Sequence, residues 1–159
     1  MTKLMPTDPA PSFDLPDADG RRWSLADLGP GPVVVYFYPA ALTPGCTIEA
    51  VDFTALHDQF AAAGIAVAGI SPDPPEKLKQ FIDTEKLNVV LLSDSSRAVI
   101  DAYGAWGTKV LYGKEMQGVI RSTFVVDVTG DGSGTIRLAQ YNVKATGHVA
   151  RLAKELGIG

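Results

Sequence analysis

Cys46 is the only cysteine among 159 residues, and the three residues ahead of it, Thr43-Pro44-Gly45, have the character of a helix start. Threonine is a good N-cap, and proline suits the first helical position, where its missing N–H costs no hydrogen bond. Cys46 then falls in the first helical turn, where backbone N–H groups lack intrahelical partners. Those groups and the helix dipole favour a thiolate over a thiol, and a thiolate is a nucleophile. Gly45 leaves the backbone open to close approach. A cysteine in an ordinary context is a small buried hydrophobe. It is this setting that makes Cys46 a candidate for covalent redox chemistry. Other chemistries lack their residues. A Cys/His metal site would need Cys46, His57 and His148 to converge, and a Cys–His protease pairing would need similar convergence. Asp127 to Gly134 resembles the start of a calcium loop, but the twelfth position is Leu138 instead of an acid, so it reads as a turn. No Gly-x-x-x-x-Gly-Lys phosphate loop occurs.

The elements that must position Cys46 are legible in outline. Residues 1–12 hold three prolines and form an extended lead-in. Phe13 to Leu15 and Trp23 to Leu25 flank a Pro-Asp-x-Asp-Gly turn, which suggests a short hairpin. Val33 to Tyr38 is β-branched and aromatic with no polar face, the pattern of a strand buried on both sides. A helix is expected from Pro44 to about Phe60, a second apolar strand at Ile65–Ile70, and a helix from Pro74 to about Lys86 with Leu78, Phe81 and Ile82 inward. Val89–Leu92 reads as a third buried strand, and Ser95/Ser96 as the cap of a short helix through Tyr103. Val119–Asp127 and Thr135–Tyr141 read as strands joined by the Thr129–Gly134 turn, with Thr146 capping a closing helix to about Leu156. Strands alternating with helices, then a hairpin and a helix, imply an α/β domain with a mixed central sheet and helices on both faces.

Composition narrows the partners. Lys plus Arg is 14 against 18 for Asp plus Glu, a net charge of −4, which argues against a nucleic-acid binder that must neutralise phosphates. The longest uninterrupted apolar run, Val33 to Leu42, is ten residues and contains a proline. A membrane span needs about 20. The N-terminal residues lack the apolar stretch of a secretory signal, so a cytoplasmic protein without membrane contact is expected. A lone cysteine excludes an internal disulfide framework.

Pro39-x-x-x-Thr43-x-x-Cys46 resembles the signature of the peroxiredoxins, thiol peroxidases of thioredoxin-like fold. The longer string Tyr36-Phe-Tyr-Pro-Ala-Ala-Leu-Thr-Pro-Gly-Cys-Thr-Ile-Glu-Ala50 is similar to their Q-type, or bacterioferritin-comigratory, branch. Ala10-Pro-x-Phe-x-Leu-Pro-Asp17, Gly69-Ile-Ser-Pro-Asp73, Leu92-Ser-Asp94 and Gly118-Val-Ile-Arg-Ser-Thr-Phe-Val-Val-Asp127 resemble it too, in family order, so the likeness runs from about residue 10 to 156. The resemblance implies one thioredoxin-like domain over 1–159, with 1–9 as the lead-in. It implies a peroxidase acting on hydrogen peroxide and organic hydroperoxides, without metal or other cofactor. Cys46 would be oxidised to a sulfenic acid. Thr43 would hydrogen-bond the substrate, or serve only as an N-cap. Pro39 would shield the pocket, or only end a strand. Arg121 would steady the thiolate and the leaving oxygen, whereas Arg137 reads as an exposed edge-strand residue. Glu49, three residues past Cys46 on the same helical side, could orient Arg121. As a bare anion it would oppose a thiolate, so it stays outside the expected site.

One departure matters. Q-type members commonly carry a resolving cysteine five residues after the first, and here that position is Val51. A sulfenic acid on Cys46 would therefore be resolved from outside, by thioredoxin, a small thiol or the Cys46 of another copy. A monomer is the expectation from the resemblance. The alternative is a redox-silent or redox-sensing module on the same fold. A Cys-x-x-Cys disulfide exchanger is disfavoured, because Glu49 stands where its second cysteine would be.

Overall fold

The computed structural model describes residues 3–158; the first two residues of the expected lead-in, and Gly159, lie outside the described residues. Strands β1 (Asp14–Pro16) and β2 (Arg22–Ser24) pair antiparallel as the expected hairpin, with Leu15 opposite Trp23. Asp17 ties the turn, accepting from the backbone N–H groups of Asp19 and Arg21 and from the Trp23 indole. Ser24 and Asp27 form a reciprocal capping box on α1 (Leu25–Leu28). The chain continues as β3 (Gly31–Phe37), α2 (Pro44–Ala55), α3 (His57–Ala62), β4 (Ala66–Ser71), α4 (Pro75–Glu85), β5 (Val90–Ser93) and α5 (Ala98–Ala102). It closes with β6 (Trp106–Leu111), β7 (Lys114–Val119), β8 (Ser122–Val128), β9 (Gly134–Gln140) and α6 (His148–Glu155).

The central sheet runs β5-β4-β3-β8-β9, with β3, β4 and β5 parallel and β8 and β9 antiparallel. It is the mixed, thioredoxin-like α/β sheet expected from the sequence. β3 lies at its centre with both faces dry. Val33, Val35 and Phe37 pack with Ile70, Ile100, Tyr103 and Phe124 on the face covered by α5 and the N-terminal hairpin. Val34, Tyr36 and Tyr38 pack with Phe53, Leu78, Phe81, Val149 and Leu152 on the face covered by α2, α4 and α6. Each such aliphatic or aromatic side chain contributes about 1.5–3 kcal/mol by leaving water, and the two clusters explain why the strand pattern showed no polar side. Residues 7–10 run along the outer edge of β9, exchanging hydrogen bonds with Ile136 and Gly134, and so cover an otherwise open strand edge. Among the described residues no helix is long and apolar enough to cross a membrane.

Four local expectations need correction. The long helix breaks at Leu56 into α2 and α3, and Phe53 and Phe60 on either side of the break are both buried in the same cluster. Ser96 does accept a hydrogen bond from the Ala98 N–H, but the N–H of Ile100 inside α5 is capped by Asp94. Thr146 does not cap α6; Gly147 holds the N-cap at φ 75, a left-handed conformation that suits glycine. The expected strand from Val119 is interrupted at Ile120 and Arg121. There the Ile120 N–H donates to the Ala105 carbonyl, and the Val143 N–H donates to the carbonyl of Arg121. Upstream of that break, β6 and β7 form a separate hairpin that no residue pattern announced.

Candidate active site

β3 ends at the C-terminal edge of the sheet and delivers the chain into the loop 38–43. Pro39 stands half-buried at its start. Leu42 takes φ 66, a left-handed conformation costing a branched side chain about 1–3 kcal/mol. Hydrogen bonds on both sides hold it there. The Ala41 N–H donates to buried Asp73 Oδ2 at 2.7 Å, and the Thr43 hydroxyl donates to the Ala40 carbonyl at 2.7 Å. Asp73 is itself fixed by the Ser71 hydroxyl at 2.9 Å, so the loop is fastened to the end of β4. Thr43 does occupy the N-cap of α2 with extended backbone angles and Pro44 follows at the first helical position. Its hydroxyl, however, turns back to Ala40 instead of capping the helix, and among the described residues no hydrogen bond joins it to Cys46.

Cys46 sits in the first turn of α2, 1% exposed. Arg121, from the interruption before β8, places Nη2 at 3.5 Å from its sulfur. Gly45 makes this approach possible: a Cβ there would lie 3.0 Å from Arg121 Nη2. The other guanidinium nitrogen, Nη1, donates to Glu49 Oε1 at 2.8 Å. Arg121 therefore spans sulfur and carboxylate. Burial works against its charge, and the facing Cys46 and Glu49 more than offset this, so its pKa rises.

Glu49 is fully buried. Burial pushes its carboxyl up to about 7, against the opposing charge and hydrogen bond of Arg121 and with a smaller push from Asp52. Oε2 has no hydrogen-bond partner. Its neighbour is His148 Nε2 at 3.9 Å, beyond hydrogen-bond reach. His148, the first residue of α6, is held by Thr123 Oγ1 of β8 at 2.8 Å. Burial, followed by the charges of Arg151 and Arg121, lowers its pKa to about 4. At neutral pH the ring is uncharged.

The sequence thus pointed to Cys46 by its local pattern and to Arg121, Thr43 and Pro39 by family resemblance; the fold brings Cys46 and Arg121 together, and Thr43 and Pro39 lie on the loop before them. It set Glu49 aside and gave His148 a place only as a metal or protease partner. A signal for Glu49 was present. Cys46, Glu49, Ala50 and Phe53 form one buried stripe of α2, and an acid inside such a stripe must find a partner. Arg97 does not join this group; it stacks on Trp106 and pairs with Asp101. His57 lies apart on α3, and among the described residues no three His, Cys, Asp or Glu side chains gather as a metal site. Two open clefts lie elsewhere. One of about 390 Å³ lies between Trp23, His57 and Phe60, and one of about 500 Å³ between Trp106, Lys109 and Tyr141; Cys46 lines neither.

A cysteine at a helix N-terminus at the edge of a thioredoxin-like sheet, with a guanidinium against it, defines a class of thiol-based redox enzymes. Comparison with known proteins places the chain within that class. Residues 6–137 match the AhpC/TSA family, and the chain belongs to it. It is 57% identical over 157 residues to a Mycobacterium tuberculosis chain named as a peroxiredoxin, covering 99% of this chain and 98% of the relative. It is 45% identical over 130 residues to the Escherichia coli peroxiredoxin Bcp, covering 82% and 83% of the two chains. Among solved structures it superimposes with a TM-score of 0.81 on the bacterioferritin comigratory protein of Xanthomonas campestris, a structure concerned with alkyl peroxide reduction, at 31% identity, covering 91% and 90%. The protein is a thiol-dependent peroxidase that takes a peroxide as substrate and a thiol as reductant.

Proposed function

We propose that Cys46 is the peroxidatic nucleophile and that Arg121, Thr43 and Pro39 complete its site. The observation that carries this is the 3.5 Å approach of Arg121 to a sulfur at the N-terminus of α2. A guanidinium and unpaired helix N–H groups match the charge of a thiolate and of the oxygen that leaves. The thiolate attacks the terminal peroxide oxygen; the S–O bond forms as the O–O bond breaks, sulfur loses two electrons, and the departing oxygen ends as water or an alcohol. Thr43, three residues before the sulfur, offers its hydroxyl to the peroxide, exchanging the Ala40 carbonyl for substrate. Pro39 shields the pocket from water. Hydrogen peroxide and organic hydroperoxides are the substrates.

With Val51 at the fifth position after Cys46, resolution is external. A thiol of thioredoxin or of a small molecule displaces water from the sulfenic acid, and a second thiolate releases Cys46. The enzyme works as a single cytoplasmic domain and as a monomer, with no cofactor. Peroxide consumption driven by dithiothreitol tests the assignment. Cys46→Ser is expected to fold normally and lose turnover, because a serine hydroxyl stays protonated near neutral pH. Substantial remaining activity would refute Cys46 as nucleophile.

A further inference from the structure

One cation, Arg121, faces two groups that can each carry a negative charge. Cys46 lies at 3.5 Å from one guanidinium nitrogen and Glu49 at 2.8 Å from the other. Among the described residues nothing else in contact with the pair supplies a second positive charge. From its own helix Glu49 feels Asp52, and Cys46 lies one turn before it on the same buried stripe. β3 contributes the buried, unpartnered hydroxyl of Tyr36, and Tyr38 adds another just past its end. α6 contributes His148, uncharged at neutral pH, with Arg151 acting on its far side. Two full negative charges on Cys46 and Glu49 would leave one of them uncompensated in a dry pocket, at a cost of several kcal/mol. The free oxygen Oε2 of Glu49 is where a proton relieves this.

We infer that Glu49 is the proton store of the peroxidase cycle: it holds a proton while Cys46 is a thiolate and gives it up as Cys46 becomes a sulfenic acid. The step balances. Cys46-S⁻ plus ROOH plus Glu49-COOH gives Cys46-SOH plus ROH plus Glu49-COO⁻. Sulfur loses two electrons, the O–O bond takes them, and the proton that completes the two O–H groups comes from Glu49. Before and after, Arg121 faces a single anion: first the thiolate, then the carboxylate. Reduction of the sulfenic acid by external thiol regenerates the thiolate and restores the proton to Glu49. Glu49 thereby exchanges its proton against the charge on Cys46, and Arg121 is the cation the two groups share. The inference rests on Cys46 as the nucleophile.

Infrared difference spectra before and after one equivalent of hydrogen peroxide near neutral pH, with mass spectra of the same samples, test it. The expected result is one added oxygen at Cys46 together with loss of the C=O stretch of a protonated carboxylic acid and gain of carboxylate bands. Glu49→Gln should gain the oxygen without that carboxyl change. In weakly buffered solution the wild type should take up close to no proton per Cys46 oxidised, and Glu49→Gln about one. Should Glu49→Gln fold poorly, isotope-labelled glutamate assigns the wild-type band instead. An added oxygen with an unchanged carboxyl region, or equal proton uptake in both proteins, overturns the proton store and leaves the nucleophile standing. Failure of Cys46 to gain oxygen overturns the nucleophile itself.

Discussion

Strand β8 is bracketed by two arginine–carboxylate pairs that look alike and behave differently. At its start, Arg121 meets Glu49 with side-chain exposures of 16% and 0%. Near its end, Asp127 meets Arg137 of β9 through both carboxylate oxygens, with 45% and 47% exposure. By geometry the outer pair is the better one, since both oxygens are engaged. Water screens it, however, and such pairs contribute about 0.2–1 kcal/mol. The inner pair has a spare oxygen and is largely shielded from solvent. Burial moves the Glu49 pKa to about 7 in spite of Arg121, and the single contact leaves half of the guanidinium free for sulfur. The work an ion pair does depends less on its geometry than on what solvent is denied to it.

The contrast can be broken most sharply at Arg121. Arg121→Lys keeps a charge but loses the planar fork that reaches sulfur and carboxylate together. The second-order rate of Cys46 oxidation by hydrogen peroxide should fall about 10²-fold, the size of effect seen when one preorganised donor is removed. Stopped-flow measurement of that rate decides, and an unchanged rate would show that the wrong arginine has been chosen.

A subtler effect lies in the pH dependence of stability. Glu49 is raised from its ordinary 4.5 to about 7. Between those values the folded protein binds the proton more often than the unfolded chain, so this group makes stability fall as pH rises. His148 is lowered from 6.5 to about 4, and over that span the unfolded chain holds the extra proton, so stability rises with pH. The two slopes oppose where they overlap, and the wild type should be nearly flat from about pH 4.5 to 6.5. His148→Asn should unmask a decline toward pH 7, and Glu49→Gln a rise from pH 4, each by up to about 1.4 kcal/mol per pH unit. Urea unfolding at a series of pH values reads both. Flat profiles in the two variants would mean that the pocket is wetter than its packing indicates.

The smallest effect belongs to the outer pair. Arg137→Gln should cost at most about 1 kcal/mol, shrink further in high salt, and leave the oxidation rate of Cys46 unchanged. A measurable rate change would erase the distinction between the two pairs.

How much of this was visible in the chain follows from where each feature gets its stability. Val33–Tyr38 was legible because both of its faces are buried, so every position had to be apolar. The turn of α2 that holds Cys46 was legible from Thr-Pro-Gly, a local instruction. The β6–β7 hairpin was not, because backbone pairing holds it while residues such as Val110, Tyr112 and Met116 face solvent, leaving no alternation to read. The interruption that frees Arg121 depends on Ala105 and Val143, and the charge that makes Glu49 acceptable in the core arrives from 72 residues away. Tertiary contacts of that kind leave no mark in a local pattern. Arg121 was found through family resemblance, and Glu49 was set aside because its neutralising partner was out of view.

Burial of the sulfur has a consequence for timing. With Cys46 as the nucleophile, a peroxide must reach a sulfur that is 1% exposed, and the thiol of a protein reductant must bring its whole carrier to the same place. α2 is unbroken from Pro44 through Val51 to Ala55, so the sulfenic acid stays enclosed for as long as that helix is intact. On the proposed assignment, oxidation would proceed from the closed shape and reduction by a protein thiol from an opened one. The observed rate of reduction is then the intrinsic rate multiplied by the fraction of time the first turns of α2 are unwound. If that fraction is about 1%, the reductant meets a roughly 10²-fold slower target than a free sulfenic acid. A second molecule of peroxide, small enough to enter the closed shape, gains the same interval. With Cys46 as the nucleophile, the persistence of one helical turn would set a clock between repair and over-oxidation.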